Sequence, residues 1–240
     1  MLFRSRIQAA IGGPPCETWS VARHFGTGPV LLRDQQQLWG LIKAPLAATQ
    51  QIEIGNLLLQ TFLLVIAELL IVGGCGILEH PAFYDDHARL NAASIWLLPE
   101  VRTIVDFPDC EEVNLNQGDL GGISLKPTTL LSLRVPSLPT RIQQFTHYRR
   151  HELTKLGGKD HQGRFTTAAA KEYPAPFCKA MALALRDSIE SRIAPGKFYF
   201  SDFDPLDVSG FTDLWAPLDP YLLTHVGNDF APRLHQSVAL

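Results

Sequence analysis

The chain contains few cysteines, and the four that it has lie far apart. Cys16, Cys75, Cys110 and Cys178 are separated by 59, 35 and 68 residues, and no two of them form a Cys-x-x-Cys pair. Because the ligands of a compact zinc site cluster in the sequence, this spacing argues against such a site. No secretory signal peptide precedes the first cysteine, so we expect reduced thiols in a soluble, intracellular protein.

The chain also lacks a large net charge. Its formal charge of −3 and its pI near 6.2 exclude an overall electrostatic attraction to nucleic acid. The charges are instead segregated: residues 134–164 hold seven Lys and Arg against two acidic residues, whereas the last 46 residues hold six Asp against two basic residues. The basic segment suits an anionic partner, and a solvated loop explains it equally well.

No internal repeat is present, and the long apolar run at residues 54–78 is interrupted by Gln60 and Glu68 and ends among glycines. Its length approaches that of a membrane span, but these interruptions favour a buried helix that runs into a buried strand. With 46% hydrophobic and 19% charged residues, the composition is that of a globular protein. A chain of 240 residues is long enough for one domain with a sizeable core, with or without a small lobe.

The order of the elements in the first third of the chain indicates an α/β protein. An apolar run at residues 6–11 stops at Gly-Gly-Pro-Pro and predicts a strand, residues 49–71 predict a helix, and residues 76–81 predict a second strand that ends at a proline. A strand, a long crossover with a helix and a second strand are typical of a parallel sheet.

The pattern changes after about residue 110. Residues 111–140 predict short β-like pieces with turns, and residues 141–165 predict a polar basic loop. A last helix is predicted to begin near Pro174. Its expected apolar face consists of Phe177, Met181, Ala184, Leu185 and Ile189.

Cys16 is the first candidate for chemistry. It directly follows Gly-Gly-Pro-Pro, so a rigid turn is expected to hold its thiol at the carboxyl end of a strand, where open α/β sheets bind their ligands. Because the thiolate is the attacking species, a cation or a helix dipole must lower the thiol pKa. Thr18 or Ser20 near a helix cap, and Arg23 close by, are the candidates for this.

Glu79 is the second candidate, in the sequence "LEHP" at the end of the second predicted strand. A carboxylate in this position is poorly suited to core packing and well placed to face a cleft beside Cys16. His80 is the alternative group, but neighbours on a strand point to opposite faces, so both cannot easily face one site. A thiol hydrolase built from Cys16 and His80 remains a third hypothesis, for which no orienting residue can be named.

The third candidate is the segment "NQGDLGGISLKPTTLLS" at residues 116–132. Its glycines allow close backbone approach, Lys126 and the two threonines after it offer phosphate contacts, and Gln117 offers a hydrogen bond to a base edge. The spacing is not that of a P-loop.

Together these segments resemble the DNA cytosine-5 methyltransferases. "GGPPCETWS" resembles the catalytic Pro-Cys motif of that family, and "LEHP" stands where the family has Glu-Asn-Val or Glu-Asn-Pro. "NQGDLGGISLKPTTLL" is similar to the Gln-Tyr-Gly…Lys-Pro-Thr stretch of phage-type members, and "TTAAAKEYPAPFCKAMA" is similar to the closing helix beside the cofactor region. The 63 residues between Cys16 and Glu79 also fit. A likeness to repetitive dinoflagellate reading frames implies a mobile-element origin.

The resemblance, which covers about residues 6–190, implies a partial Rossmann-like methyltransferase sheet that acts on DNA. Cys16 as thiolate would add to C6 of a flipped-out cytosine, and Glu79 would hold the base at N3 and its amino group. S-adenosylmethionine would supply the methyl group to C5, and the basic segment would contact phosphates. The other substrate contacts implied are Pro15, Arg23, Gln117 and Lys126.

This resemblance also implies a division of the chain. The expected parts are a catalytic α/β region at 1–110, a small β-rich target-recognition-like region with the basic loop at 111–165, a helix at 166–194 that returns to the α/β region, and an irregular acidic tail at 195–240.

Three departures from the family pattern leave two alternatives open. No Phe-x-Gly-x-Gly cofactor loop precedes Cys16 or follows near the C-terminus, the family's Gln-x-Arg-x-Arg lacks its arginines, and His80 replaces the usual Asn. The cofactor-binding residues therefore stay unassigned. We expect either the catalytic part of a methyltransferase, whose sheet a partner chain or a missing N-terminal segment completes, or a degenerate, non-catalytic α/β module that binds nucleic acid or a protein partner.

Overall fold

A four-stranded mixed sheet organises the part of the chain that the computed structural model describes, residues 7–24, 29–147, 153–154, 161–162 and 171–193. The first two strands along the chain are parallel, whereas the fourth lies between the second and the third and is antiparallel to both. The predicted α/β class is confirmed, and so is the parallel pairing of the first two strands. The strands are β1 (Ala9–Gly12), β2 (Cys75–Pro81), β3 (Cys110–Asn116) and β4 (Pro127–Leu133).

Helices cover both faces of this sheet. The α-helices among the described residues are α1 (Leu46–Ile71), α2 (Asp85–Arg89), α3 (Pro99–Val105), α4 (Leu138–Phe145) and α5 (Ala175–Ile193). Short 3-10 turns lie at Val21–His24, Ile95–Leu97 and Gln117–Leu120.

α1 is longer than the sequence predicted and packs on one face of β2. It begins directly after Pro45, whose carbonyl accepts the first hydrogen bonds of the helix, so its start lies three residues before the predicted one. A methyl group added to Gly76 of β2 would press on Ile66 and Leu69 of α1, which shows how closely helix and strand approach. The even-numbered residues of β2 therefore face α1.

α1 is also the one helix among the described residues that is long and apolar enough to cross a membrane by length and composition alone. Its most apolar window has a mean hydropathy of 2.1. A helix in a protein core meets the same two criteria. In this fold Leu59, Leu63 and Ile66 of α1 are fully buried against the rest of the chain.

The opposite face of the sheet packs against α4 and α5. The predicted start of the last helix is confirmed, because α5 begins at Ala175, directly after Pro174. Its predicted apolar face is also confirmed and joins the main core. Burying a side chain the size of Phe177 contributes about 2 kcal/mol to folding. This core includes Cys75, Ile77, Leu130, Phe177, Met181 and Ala184.

The region after residue 110 differs from the prediction in one respect. The expected β-like pieces are β3 and β4, which pair in the same sheet as β1 and β2. Residues 141–145, predicted as loop, belong to α4, because Leu138 and Ile142 lie one turn apart and are both buried. The rest of the predicted basic loop is largely outside the described residues, and the predicted acidic tail is entirely outside them. The division into domains stays a prediction.

Candidate functional site

Cys16 and Glu79 meet at one edge of the sheet because β1 and β2 are parallel. The last residue of β1, Gly12, pairs with Leu78, so Glu79 follows at the level where the chain leaves β1 for the Cys16 turn. A methyl group added to Gly13 would lie 3.1 Å from Glu79 Oε2. Pro14 is buried, and the Trp19 N–H donates to the Cys16 carbonyl at 3.0 Å, which closes the turn.

Three donors surround the Glu79 carboxylate, which is only 5% exposed. The Tyr173 hydroxyl donates to Oε2 at 2.6 Å, and Gln117 Nε2 donates to Oε1 at 3.0 Å. Lys126 Nζ lies 3.8 Å from Oε1. Both oxygens are therefore held in place, as a buried carboxylate requires.

Gln117 and Lys126 reach Glu79 because they flank the loop that joins β3 to β4. The Gln117 N–H donates to the Lys126 carbonyl at 3.3 Å, one step beyond the last pair of the two strands. Gln117 Nε2 makes a second hydrogen bond to Thr128 Oγ1, also at 3.0 Å. Gly121 in the loop has φ of 92°, a conformation that glycine adopts without strain.

Tyr173 is a member of the site that the sequence did not indicate. It lies 94 residues from Glu79 in the sequence. The one sequence signal for it is that an aromatic residue stands directly before the proline that precedes α5. Its ring stacks on Phe177 with centroids 5.4 Å apart, and Lys126 Nζ lies 4.8 Å from the centre of the same ring. The Tyr173 pKa is raised by burial and by the Glu79 carboxylate, so its hydroxyl keeps its proton and donates.

The Cys16 thiol is half-buried and is not activated in this arrangement. Burial raises its pKa above the ordinary value of 9.0, Lys126 lowers it by a smaller amount, and the carboxylates of Glu79 and Glu17 raise it further. At neutral pH the group is therefore a thiol. The cation that favours the thiolate is Lys126, whereas the sequence had suggested Arg23.

Arg23 and Pro15 take different positions relative to this cluster. The Arg23 guanidinium donates to the carbonyls of Glu17 and Val30, both at 2.6 Å, and to Gln51 Oε1 at 3.1 Å. These bonds tie the chain after Cys16 to α1. Pro15 is half-buried in the turn itself. Of the six site residues predicted, the structure brings together Cys16, Glu79, Gln117 and Lys126.

The opposite face of β2 carries a second polar cluster, centred on His80. As the alternation along a strand predicts, His80 points away from Glu79 and lies edge-on to Trp19, with ring centroids 6.3 Å apart. It is 1% exposed, and neither ring nitrogen meets a hydrogen-bond partner among the described residues. Burial and the nearby Arg33 lower its pKa to about 3, so it is neutral at neutral pH.

Arg33 is the buried cation of this second cluster, and no sequence pattern indicated it. Its guanidinium lies 3.9 Å from the centre of the Trp19 ring and donates to the carbonyls of Leu38 at 3.0 Å and Ile52 at 3.2 Å. No carboxylate pairs with it among the described residues, and burial lowers its pKa to about 9. Arg33 therefore joins the loop after Cys16 to α1.

A cavity of about 280 Å³ opens beside the Glu79 cluster. Gln117, Lys126 and Tyr173 belong both to this cluster and to the lining of the cavity, and Gly121, Gly122 and Ser124 also line it. No group of three metal-ligating side chains occurs in the described residues. Comparisons with protein-family models, with curated proteins and with solved structures find no match to this chain.

Proposed function

We propose that this chain carries the nucleophile and the base-binding carboxylate of a DNA cytosine-5 methyltransferase-like site, on part of a Rossmann-like methyltransferase sheet. The observation that supports this is the meeting of Cys16 and Glu79 at adjacent strand ends, with Gln117 and Lys126 completing the cluster. These are the residues of three separate segments, up to 110 residues apart, that resemble the family motifs.

The proposed chemistry begins with a flipped-out cytosine between Cys16 and Glu79. The Cys16 thiol first loses its proton to solvent, and the thiolate then bonds to C6 while the π electrons of the C5–C6 bond move to C5, which becomes nucleophilic. Glu79 accepts a hydrogen bond from the amino group of the base, and a proton shared between Glu79 and N3 joins the carboxyl group to the ring nitrogen. Lys126 favours the thiolate, and it does so most strongly when bound base replaces water around the thiol.

S-adenosylmethionine supplies the methyl group in the family that the chain resembles. The described residues do not fit this cofactor: β1 has no neighbouring strand on its outer side among them, and the carboxylates near Cys16 are already bound. Glu17 pairs with Lys171 at 2.7 Å, and Glu79 has its three donors. The proposed reaction of this chain therefore ends at the covalent adduct, in which C5 takes a proton from water. A further segment or partner chain beside β1 would have to hold the methyl donor.

A second candidate is a non-catalytic α/β module that binds nucleic acid or a protein partner through the same edge. The raised pKa of the Cys16 thiol and the lack of fit to the cofactor favour it. Two apolar side chains are exposed at the outer strand: Ile11 in β1 is 51% exposed, and Ile7, just before β1, is 37% exposed. A partner strand beside β1 would cover them. For either candidate we propose an intracellular, soluble protein.

Covalent trapping separates the two candidates. The chain is incubated with DNA that contains 5-azacytosine, in which thiolate addition at C6 breaks the N5–C6 π bond and N5 takes a proton. Because this adduct needs no methyl donor, it tests the nucleophile apart from the cofactor. Denaturing electrophoresis and mass spectrometry of the adduct are the readouts.

The enzyme proposal expects an adduct on Cys16 that disappears in Cys16→Ser and persists in Cys110→Ser. Cys110 is a suitable control because it is also half-buried but starts β3, at the other end of the sheet. A second arm with 5-fluorocytosine DNA and S-adenosylmethionine tests methyl transfer. DNA binding without an adduct, on duplex and single strand alike, would favour the non-catalytic module.

A further inference from the structure

Tyr173 contacts the proposed base-binding carboxylate and lies beside the turn that carries the proposed nucleophile. Its hydroxyl is 2.6 Å from Glu79 Oε2, and a methyl group added to Gly13 would collide with the same hydroxyl. Gly13 belongs to the turn that carries Cys16. The phenol therefore spans the distance from Glu79 to the backbone of that turn. It is also close enough to Cys16 for a charge on the thiol to raise the Tyr173 pKa.

A base bound as proposed needs this same space. To contact Cys16 through C6 and Glu79 through N3 and the amino group, the ring must lie between the thiol and the carboxylate. Oε2 of Glu79 already accepts the Tyr173 hydroxyl, and Oε1 already faces Gln117 and Lys126. The phenol and the base are therefore alternative occupants of one place.

Tyr173 is held in a way that allows it to leave. The hydroxyl end of its side chain is desolvated beside Glu79, but the residue as a whole is 39% exposed and lines the cavity of about 280 Å³. The residues that precede α5 are fastened by an exposed ion pair, Lys171 Nζ to Glu17 Oε1 at 2.7 Å. Exposed ion pairs contribute little, so the bond from Tyr173 to the buried carboxylate is the stronger of these two attachments.

We propose that Tyr173 is a displaceable placeholder for the base: its hydroxyl satisfies Glu79 while the site is empty and leaves when a base binds. This inference rests on the proposed function. Tyr173 would then control access to the site. It would also favour ligands that can donate a hydrogen bond to Glu79 in its place. A purely apolar ring would leave the Glu79 oxygen without a donor.

The test measures how fast a base-sized reagent reaches Cys16. N-ethylmaleimide is a flat ring that adds to a thiolate, and methyl methanethiosulfonate is a small reagent that labels the same group. The rates at Cys16, Cys75 and Cys110 are measured by mass spectrometry in the full chain, in Tyr173→Phe and in Tyr173→Ala. Tyr84→Phe is the matched control, because Tyr84 is 37% exposed and lies outside the cluster.

We expect Tyr173→Phe to raise the maleimide rate at Cys16 about tenfold relative to Cys110, the factor that corresponds to one lost hydrogen bond to a charged group. Tyr173→Ala should raise it further, the small reagent should gain less, and Tyr84→Phe should change nothing. Unchanged maleimide rates in both Tyr173 variants would overturn the proposal. So would a parallel rise at buried Cys75 and at Cys110, which reports a loosened fold. If Tyr173→Ala does not fold, Tyr173→Phe decides alone.

The outcome is separable from that of the proposed function. A faster maleimide reaction in Tyr173→Phe without any 5-azacytosine adduct supports the placeholder and contradicts the enzyme. An adduct in the unmodified chain together with unchanged maleimide rates supports the enzyme and overturns the placeholder.

Discussion

Two neighbouring residues of β2, Glu79 and His80, lie in opposite environments. Glu79 faces three donors beside a cavity, one of them the partly exposed Tyr173. His80 faces α1 and the loop after Cys16, where it is buried and neither ring nitrogen has a partner among the described residues. On the Glu79 face, a buried carboxylate has a partly exposed hydrogen-bond donor, Tyr173. On the His80 face, the buried residues connect the loop after Cys16 to α1.

The difference shows how one strand can serve a site and its support together. Cys16 is positioned from both faces: its turn packs near Tyr173 and Glu79 on one side, and Trp19, three residues later, packs against Arg33 and His80 on the other. A change on the His80 side should therefore affect stability first, and a change on the Glu79 side should affect ligand binding first.

The largest effect is expected for Arg33→Ala. The substitution removes two hydrogen bonds from a buried cation and its contact with Trp19, and we expect a loss of about 4 kcal/mol in the free energy of unfolding. Chemical denaturation measures it. Arg89→Ala, which removes an exposed ion pair with Asp86, is the control and should cost less than about 0.5 kcal/mol. Equal losses for the two variants would contradict the supporting role of the Arg33 cluster.

A strong dependence of stability on acid is expected from His80. Its pKa falls from an ordinary 6.5 to about 3 on folding, so the unfolded chain binds the proton more readily and stability falls as the pH drops through this window. Between pH 6.5 and about pH 4 the loss should reach about 3 kcal/mol from this group. Denaturation curves across this range measure it. His80→Leu should flatten the slope. The contributions of His24 and His87, whose pKa values are also lowered, should remain, together with that of Glu17, whose lowered pKa acts near the acid end of the range.

A smaller loss of stability is expected for Glu79→Gln. An amide in place of the carboxylate turns one acceptor into a donor that faces other donors, and we expect a loss of about 2 kcal/mol. Thermal and chemical denaturation measure it, with the exposed Glu53→Gln on α1 as the control. The same variant should weaken adduct formation with 5-azacytosine DNA far more than Glu53→Gln does. A variant that is destabilised but traps DNA normally would break the assignment of Glu79 to the base.

The smallest effect, and one of opposite sign, is expected for His80→Leu at neutral pH. Replacing a buried polar group that has no partner by an apolar group of similar volume should raise stability by about 1 kcal/mol. Chemical denaturation at constant pH measures it. A loss of stability instead would show that a His80 ring nitrogen has a hydrogen-bond partner.

Much of the site was predictable because its residues follow local rules. The Gly-Gly-Pro-Pro turn indicated the end of a strand, and the interruptions in the apolar run after it favoured a buried helix and a second strand over a membrane span. Cys16 and Glu79 were therefore expected at one edge of a parallel pair. Alternation along β2 was enough to place His80 on the other face. The basic segment was less predictable. Residues 141–145 were predicted as loop, but they form the end of α4, whose buried residues Leu138 and Ile142 are four positions apart.

Local sequence patterns were sufficient to predict the order of strand, helix and strand, the turn that carries Cys16 and the apolar face of α5. The folded structure was needed to show that Tyr173 donates to Glu79 and that Lys126, not Arg23, acts on the Cys16 thiol. It was also needed to show that Arg33 is buried without a carboxylate partner among the described residues. Local patterns fix backbone conformation because they depend on neighbouring residues. Charges and hydrogen bonds act through space between residues that are distant in the chain, and only the packed sheet brings those residues together.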